Sequence, residues 1–235
     1  MMITIFDVES TGLIEPEVVQ AGYIGYSLSD KGVACYKEKL FGATKPIEWS
    51  AMGLHGVTNE AIHGRKKWTG NFLPVMTEYL VTHNAQFDTQ FFSEEQLKNV
   101  KVLCTLKLAK KLIPKHECGD HKNATLYYFL GCYKNPVAAE YLGKTHTALA
   151  DCAMTLNVLL AMLDKYNLTI DQAYAMITNI NESTELEDVS ICPFPKYAGE
   201  LWATVVKKDS DYCHWLLNSG KIKNPKMVEL VKGWL

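Results

Sequence analysis

Asp7 and Glu9 stand two residues apart at the end of MMITIF, an apolar, β-branched run that reads as a strand. A period of two puts both carboxylates on one face. Side-by-side carboxylates repel each other and are costly to desolvate, so such a pair ordinarily has a cation between its members. Hard oxygen ligands suit Mg²⁺ or Mn²⁺. A solvated strand end carrying two acids fits this stretch equally well. Further candidates lie downstream: Asp88 at the end of THNAQFD, and His146 five residues before Asp151. Asp151 falls among Ala148, Leu149, Ala150, Ala153 and Met154, where a buried carboxylate needs a metal or a partner. Histidine ordinarily titrates near neutral pH and can take a proton from an attacking water.

These residues require a strand to hold Asp7 and Glu9, a strand end and loop for Asp88, and a helix start for Asp151. PEVVQAGYIGYSLSDKGVACYKEKLF predicts two further strands joined at Ser29-Asp30-Lys31-Gly32, completing a three-stranded meander. KPIEWSAMGLHGVTNEAI carries a loop and a short helix, and a helical segment is expected from about Asn71 to Tyr79, with Pro74 in its first turn. After Asp88 one helix is expected to run to about Leu97. Val100 to Cys104 reads as a strand leading into a helix that stops before Pro114. NATLYYFLG is helical, with Asn123 as cap and Gly131 at C′, and the longest helical pattern carries Leu149, Leu156, Leu159, Leu160 and Leu163. A short helix follows from Thr169 to Thr178. Three antiparallel strands followed by strands alternating with helices predict an α/β protein with a mixed sheet.

The chain of 235 residues, 48% hydrophobic, has enough apolar content for a true core. No apolar run approaches the roughly 18 to 20 residues of a membrane span, and acids appear by position 7 where a secretory leader would be basic and apolar. A cytoplasmic protein with no membrane partner is expected. The seven cysteines are odd in number and lack C-x-x-C spacing, so they read as reduced structural thiols. His116, Cys118 and His121 in KHECGDH could supply zinc ligands, but read as a polar loop. Net charge is −2, yet Lys101, Lys107, Lys110, Lys111, Lys115, Lys122, Lys134 and Lys144 face only Glu117, Asp120 and Glu140 in that stretch. A local basic face on an acidic protein suits an anionic polymer approaching a carboxylate-rich site, or is an ordinary solvated lysine face. Residues 181–189 are polar and acidic and read as a linker between a domain of residues 1–180 and a tail of residues 190–235.

DVESTGL, HNAQFD and HTALAD, in this order and spacing, resemble the three motifs of the DEDDh 3′→5′ exonuclease superfamily. MGLHGVTNEAI, CTLKLAKKL and NATLYYFLG match the text between those motifs. The tail PFPKYAGELWATVVKKDSDYCHWLL resembles the C-terminal segment of exodeoxyribonuclease X-like proteins of bacteria and phages. Two departures stand out: Pro195 where those proteins usually have glycine, and Thr147 where many have a basic or amide residue.

The resemblance implies a ribonuclease H-like fold, a five-stranded mixed sheet flanked by helices, with a small C-terminal appendage. It implies two divalent cations, Mg²⁺ or Mn²⁺, with Asp7 bridging them, Glu9 and Asp151 on the nucleophile side, Asp88 supporting the other, and His146 as general base. Thr11, Gly12 and Leu13 would contact the terminal nucleotide, joined by His55, Asn84 and Phe87. The implied reaction is release of 5′-mononucleotides from the 3′ ends of DNA, favoured over RNA. An RNA-directed exonuclease and a non-catalytic nucleic-acid-binding module are the alternatives. The tail offers a contact for a replication or repair partner. In it, Trp202, Tyr212 and Trp215 could stack on single-stranded bases, but at helical spacing read as a small core.

Overall fold

A computed structural model describes residues 1–74, 77–142, 146–178, 192, 194–197, 200, 202–222 and 225–235. The chain divides into two compact units, Met1–Asn179 and Ile180–Leu235. The expected linker, residues 181–189, lies outside the described residues.

The first unit is built on one five-stranded sheet with strand order β3-β2-β1-β4-β5. Its strands are β1 (Met2–Ser10), β2 (Val18–Ser27), β3 (Gly32–Leu40), β4 (Tyr79–Thr82) and β5 (Lys101–Cys104). β1 pairs antiparallel with β2 and parallel with β4, and β4 pairs parallel with β5, so the sheet is mixed. The turn between β2 and β3 falls at residues 28–31, where Lys31 takes a left-handed φ of 52°. The helices are α1 (Trp49–His55), α2 (Asn59–Ile62), α3 (Ala85–Thr89), α4 (Glu94–Leu97), α5 (Thr105–Leu112), α6 (Lys115–Cys118), α7 (Asn123–Phe129), α8 (Ala148–Lys165) and α9 (Ile170–Thr178).

The alternation of β1 sorts its side chains. Ile3 and Ile5 enter the core beneath α8 with Leu103, Leu126, Leu156 and Leu159. Phe6 and Val8 enter an aromatic layer on the other face with Phe41, Phe72 and Phe92. Asp7 and Glu9 continue the Ile3–Ile5 row, which sends both toward α8.

Three local expectations are corrected. Residues 71–74 form turns instead of a helix, and Tyr79 already begins β4. Phe72 is held by edge-on contacts with Tyr23 and Phe41, so tertiary packing decides that stretch, of which residues 75 and 76 lie outside the described set. The helix expected to reach Leu97 is two, because Ser93 starts a new one with a capping box closed by Gln96. Asn123 is not a cap: Lys122 is, and the Asn123 amide donates to the Asp151 carbonyl (3.4 Å) and the Thr155 hydroxyl (2.8 Å).

The second unit contains α10 (Trp202–Lys208), α11 (Ser210–Asn218) and α12 (Pro225–Trp234). Trp202, Val205, Cys213, Leu216, Met227 and Val231 form its core, and the Asp209 side chain caps α11 at the Tyr212 N–H. Of these only α11 is read from the sequence, which predicts a helical stretch around Asp209 to Asn218. Trp202 is fully buried, whereas Trp215 is half exposed and stacked on Tyr212.

Candidate active site

The central contact of the site is made possible by a glycine. Gly22 is paired with Asp7 in the β1–β2 register, and a Cβ there would come within 2.8 Å of the Ala148 carbonyl carbon and the Leu149 nitrogen. Only a residue without a side chain lets the first turn of α8 lie this close to the sheet. That turn is then fixed by its otherwise orphan N–H groups. Ala148 donates to Gln20 Oε1 (3.2 Å), Leu149 to Glu38 Oε1 (3.0 Å) and Ala150 to the capping hydroxyl of Thr147 (3.3 Å). Thr147, a departure from the family text, thus has a role as the helix cap.

With α8 held there, Asp151 meets Asp7 and Glu9, and ligand oxygens of the three lie within 4.8 Å of one another. Among the described residues this is the one group of metal-ligating side chains so arranged, and KHECGDH is not one. His121 instead bonds the Ile113 carbonyl (2.8 Å), and Lys115–Cys118 is a helical turn. Asp88 lies outside that trio, almost wholly buried in α3, which starts from Asn84 in a left-handed conformation. Its carboxylate accepts from the Thr82 hydroxyl (2.5 Å) and the Val8 main-chain N–H.

Among the described residues no lysine or arginine pairs with these acids, and His146 beside Asp151 is the one basic side chain within 4 Å. Burial, then the charges of Asp88, Asp151 and Glu9, hold Asp7 well above the usual carboxylate range. Burial and the charges of Asp151 and Asp88 push Glu9 to about 8. Burial lifts Asp88 to about 7 against its hydrogen bonds from Thr82, the Val8 N–H and its own main chain, and lifts Asp151 against the opposing influence of His146. The half-exposed His146 has a left-handed φ of 66°, and its Nδ1 lies 4.0 Å from Asp151 Oδ2. Its main-chain N–H donates to the same carboxylate.

A cleft of about 380 Å³ opens beside the acids, lined by Glu9, Gly12, Leu13, His55, Asn84 and Phe87 among others. Leu13 is 82% exposed. Gly12 has a φ of 153°, and a Cβ there would strike the Glu48 carboxylate at 2.2 Å. Phe87 is half-buried and edge-on to Phe91. Thr11, expected with Gly12 and Leu13 at the nucleotide, is not among the residues lining this cleft. Thr11 is fully buried, with its N–H given to the Glu17 carbonyl (2.9 Å) and its hydroxyl taken by the Glu17 N–H (3.0 Å). His55 Nδ1 accepts from the Val57 N–H (3.0 Å) and Nε2 donates to the Ser10 carbonyl (3.2 Å), so the ring supports the turn after β1. Glu48, Ser50 and Leu54 also line this cleft, a placement that no spacing in the sequence signals.

The fold is shared with several solved exonucleases, and two of the curated proteins similar in sequence are named exonucleases. The chain is similar to Exonuclease X, solved in complex with 5′ overhanging duplex DNA, at 23% identity and a TM-score of 0.60, covering 74% of this chain and 99% of that one. It is similar to the nuclease domain of 3′hExo, a DEDDh family member bound to rAMP, at 15% identity and a TM-score of 0.53, covering 70% and 92%. An uncharacterized exonuclease, CP81 of Escherichia phage 186, is 27% identical over 173 residues, 66% of this chain and 85% of the phage protein. No protein-family model matches the chain.

Proposed function

We propose that the protein is a metal-dependent 3′→5′ exonuclease that acts on DNA and releases 5′-mononucleotides. The observation that carries this reading is the convergence of Asp7, Glu9 and Asp151 within 4.8 Å, without a lysine or arginine partner among the described residues, beside a cleft open to solvent. An all-oxygen donor set of this charge fits hard divalent cations such as Mg²⁺ or Mn²⁺. Asp7, Glu9 and Asp151 would hold one ion, and Asp88 with Asp7 a second. When bound, such ions supply positive charge to the phosphoryl oxygens and favour ionisation of water.

The remaining work belongs to the chain itself. His146, half exposed and 4.0 Å from Asp151, takes the proton of the attacking water, and the Asp151 charge supports the imidazolium that results. The cleft between Leu13 and Phe87 receives the terminal nucleotide and orients its phosphodiester toward the acids. Asn84, at the mouth of the cleft, has its side chain available for the sugar or phosphate.

The test is digestion of DNA and RNA oligonucleotides labelled at one end, with Mg²⁺ and with a chelator. Stepwise shortening of 5′-labelled DNA, abolished by the chelator, is the expected result. Faster loss from matched RNA would reassign the substrate, and binding without shortening would make this a non-catalytic module. The Exonuclease X complex with duplex DNA supports DNA as the substrate.

A further inference from the structure

Asn84 lines a second cleft, of about 570 Å³, on its other side. Its rim carries Lys110 from the last turn of α5, Lys115 from the start of α6 and Lys122, the N-cap of α7. Along the chain these belong to the lysine-rich stretch from Lys101 to Lys144, and three successive short helices bring them around one opening. All three are exposed. Lys110 and Lys115 have no carboxylate within 4 Å among the described residues, and Lys122 Nζ stands 3.9 Å from Asp120 Oδ2, the one acid of the lining. His83 in the floor adds no charge: burial depresses it to about 4, and Nε2 donates to the His121 carbonyl (3.0 Å). The cleft is therefore a cationic surface, in contrast to the anionic site beside it.

The two are physically joined. Asn84 lines both clefts, and the Asn123 amide in the second holds the Asp151 carbonyl. We infer that this lysine-rimmed cleft binds phosphates of the substrate backbone beyond the terminal nucleotide, making it a subsite for polynucleotide length. Ammonium groups on flexible stems suit phosphates whose positions vary along a strand, and they need no base recognition. The inference rests on the nuclease reading and extends it. The phosphates come either from the cleaved strand itself or, in a duplex, from its complement.

The experiment compares the wild type with a Lys110→Ala, Lys115→Ala, Lys122→Ala variant of the full chain. Equilibrium binding of an oligonucleotide is measured in chelator, by fluorescence anisotropy, over a salt series. Turnover with Mg²⁺ is followed on the same oligonucleotide and on the p-nitrophenyl ester of thymidine 5′-monophosphate, which has no further backbone. The variant is expected to lose about tenfold or more in affinity and KM for the oligonucleotide, and to flatten the log–log salt slope by about two, at roughly 0.7 per phosphate contact on a single strand. Its hydrolysis of the ester is expected to match the wild type, which also shows that the fold and the acids are intact. A loss seen on single strands assigns the cleft to the cleaved strand; a loss confined to a duplex with a recessed 3′ end assigns it to the complement. Unchanged affinity and slope on both overturn the inference. A wild type that hydrolyses neither substrate overturns the nuclease reading alone, since the binding series still decides the cleft.

Discussion

At the start of β4, the Tyr79 hydroxyl donates to Asp171, and Lys101 Nζ lies 3.5 Å from Asp171, 3.4 Å from Glu78 and 4.6 Å from the centre of the Tyr79 ring. The Tyr79 hydrogen bond and the lysine hold Asp171 below the usual carboxylate range. At the end of the same strand, Thr82 donates to Asp88, and there the carboxylates crowd together and are held above that range. One end of the sheet thus supplies a lysine for its acids, and the other gathers acids with no lysine or arginine beside them among the described residues. Paired groups of the first kind belong to the architecture. Unpaired acids cost stability, and the cation proposed for this place would offset that cost.

The largest expected effect that sharpens this contrast follows from Asp7→Asn. Turnover falls by about a thousandfold or more, on the several kcal/mol that metal-held charge contributes at 1.36 kcal/mol per tenfold. The melting temperature of the metal-free variant at pH 8 rises, since a buried group whose ionised form is disfavoured by burial and by its acidic neighbours has been removed. A variant that is both inactive and less stable in chelator would break the contrast, because Asp7 would then be a structural acid.

His146→Gln comes next. It lowers kcat by about a hundredfold to ten-thousandfold, the usual range for loss of a general base, while Mn²⁺ affinity stays near that of the wild type. Equal losses in kcat and metal affinity would make His146 a support for Asp151 instead.

A third expectation concerns pH. Glu9 titrates at about 8 and Asp88 at about 7 in the folded chain, both above the ordinary carboxylate values of unfolded protein. Between those limits the folded state binds more protons than the unfolded state, so metal-free stability falls as pH rises through the folded values. Scanning calorimetry in chelator is expected to show a melting temperature that declines from about pH 5 to pH 8.5, a window set by these titrations. Excess Mg²⁺ flattens the decline, raising the melting temperature most at the alkaline end. A metal-free profile that rises with pH would contradict the unpaired state of the acids.

The smallest effect is at the paired end, where Lys101→Met leaves turnover unchanged and lowers the melting temperature slightly, as expected for a solvent-exposed pair. A loss of activity there would show that the two ends are coupled.

Much of the acidic end was legible in the sequence, because alternation along β1 puts Asp7 and Glu9 in one row and Asp151 interrupts an apolar helical pattern. What brings them together was not legible. Gly22 looks like any strand glycine until the register sets it opposite Asp7 and beneath Ala148. Gln20 and Glu38 serve the N-terminus of α8 from more than a hundred residues away in sequence, a contact that no local pattern encodes. The burial of Thr11 and its bonds to Glu17 were not legible, because its motif position says nothing of them. Lys110, Lys115 and Lys122 became a cleft only once three short helices had been folded around His83. The two outer helices of the second unit were missed because α10 is one short, β-branched apolar run that suits a strand as well, and the apolar positions of α12 are few and broken by lysines.

The most direct measurement is a titration of Mn²⁺ into metal-free protein at pH 8, followed by calorimetry or by the paramagnetic signal of the free ion. The wild type and Asp171→Asn are expected to bind the ion alike, while Asp7→Asn loses that binding. Binding that survives Asp7→Asn, or none in the wild type, would contradict the claim that Asp7, Glu9, Asp88 and Asp151 are a place kept for metal.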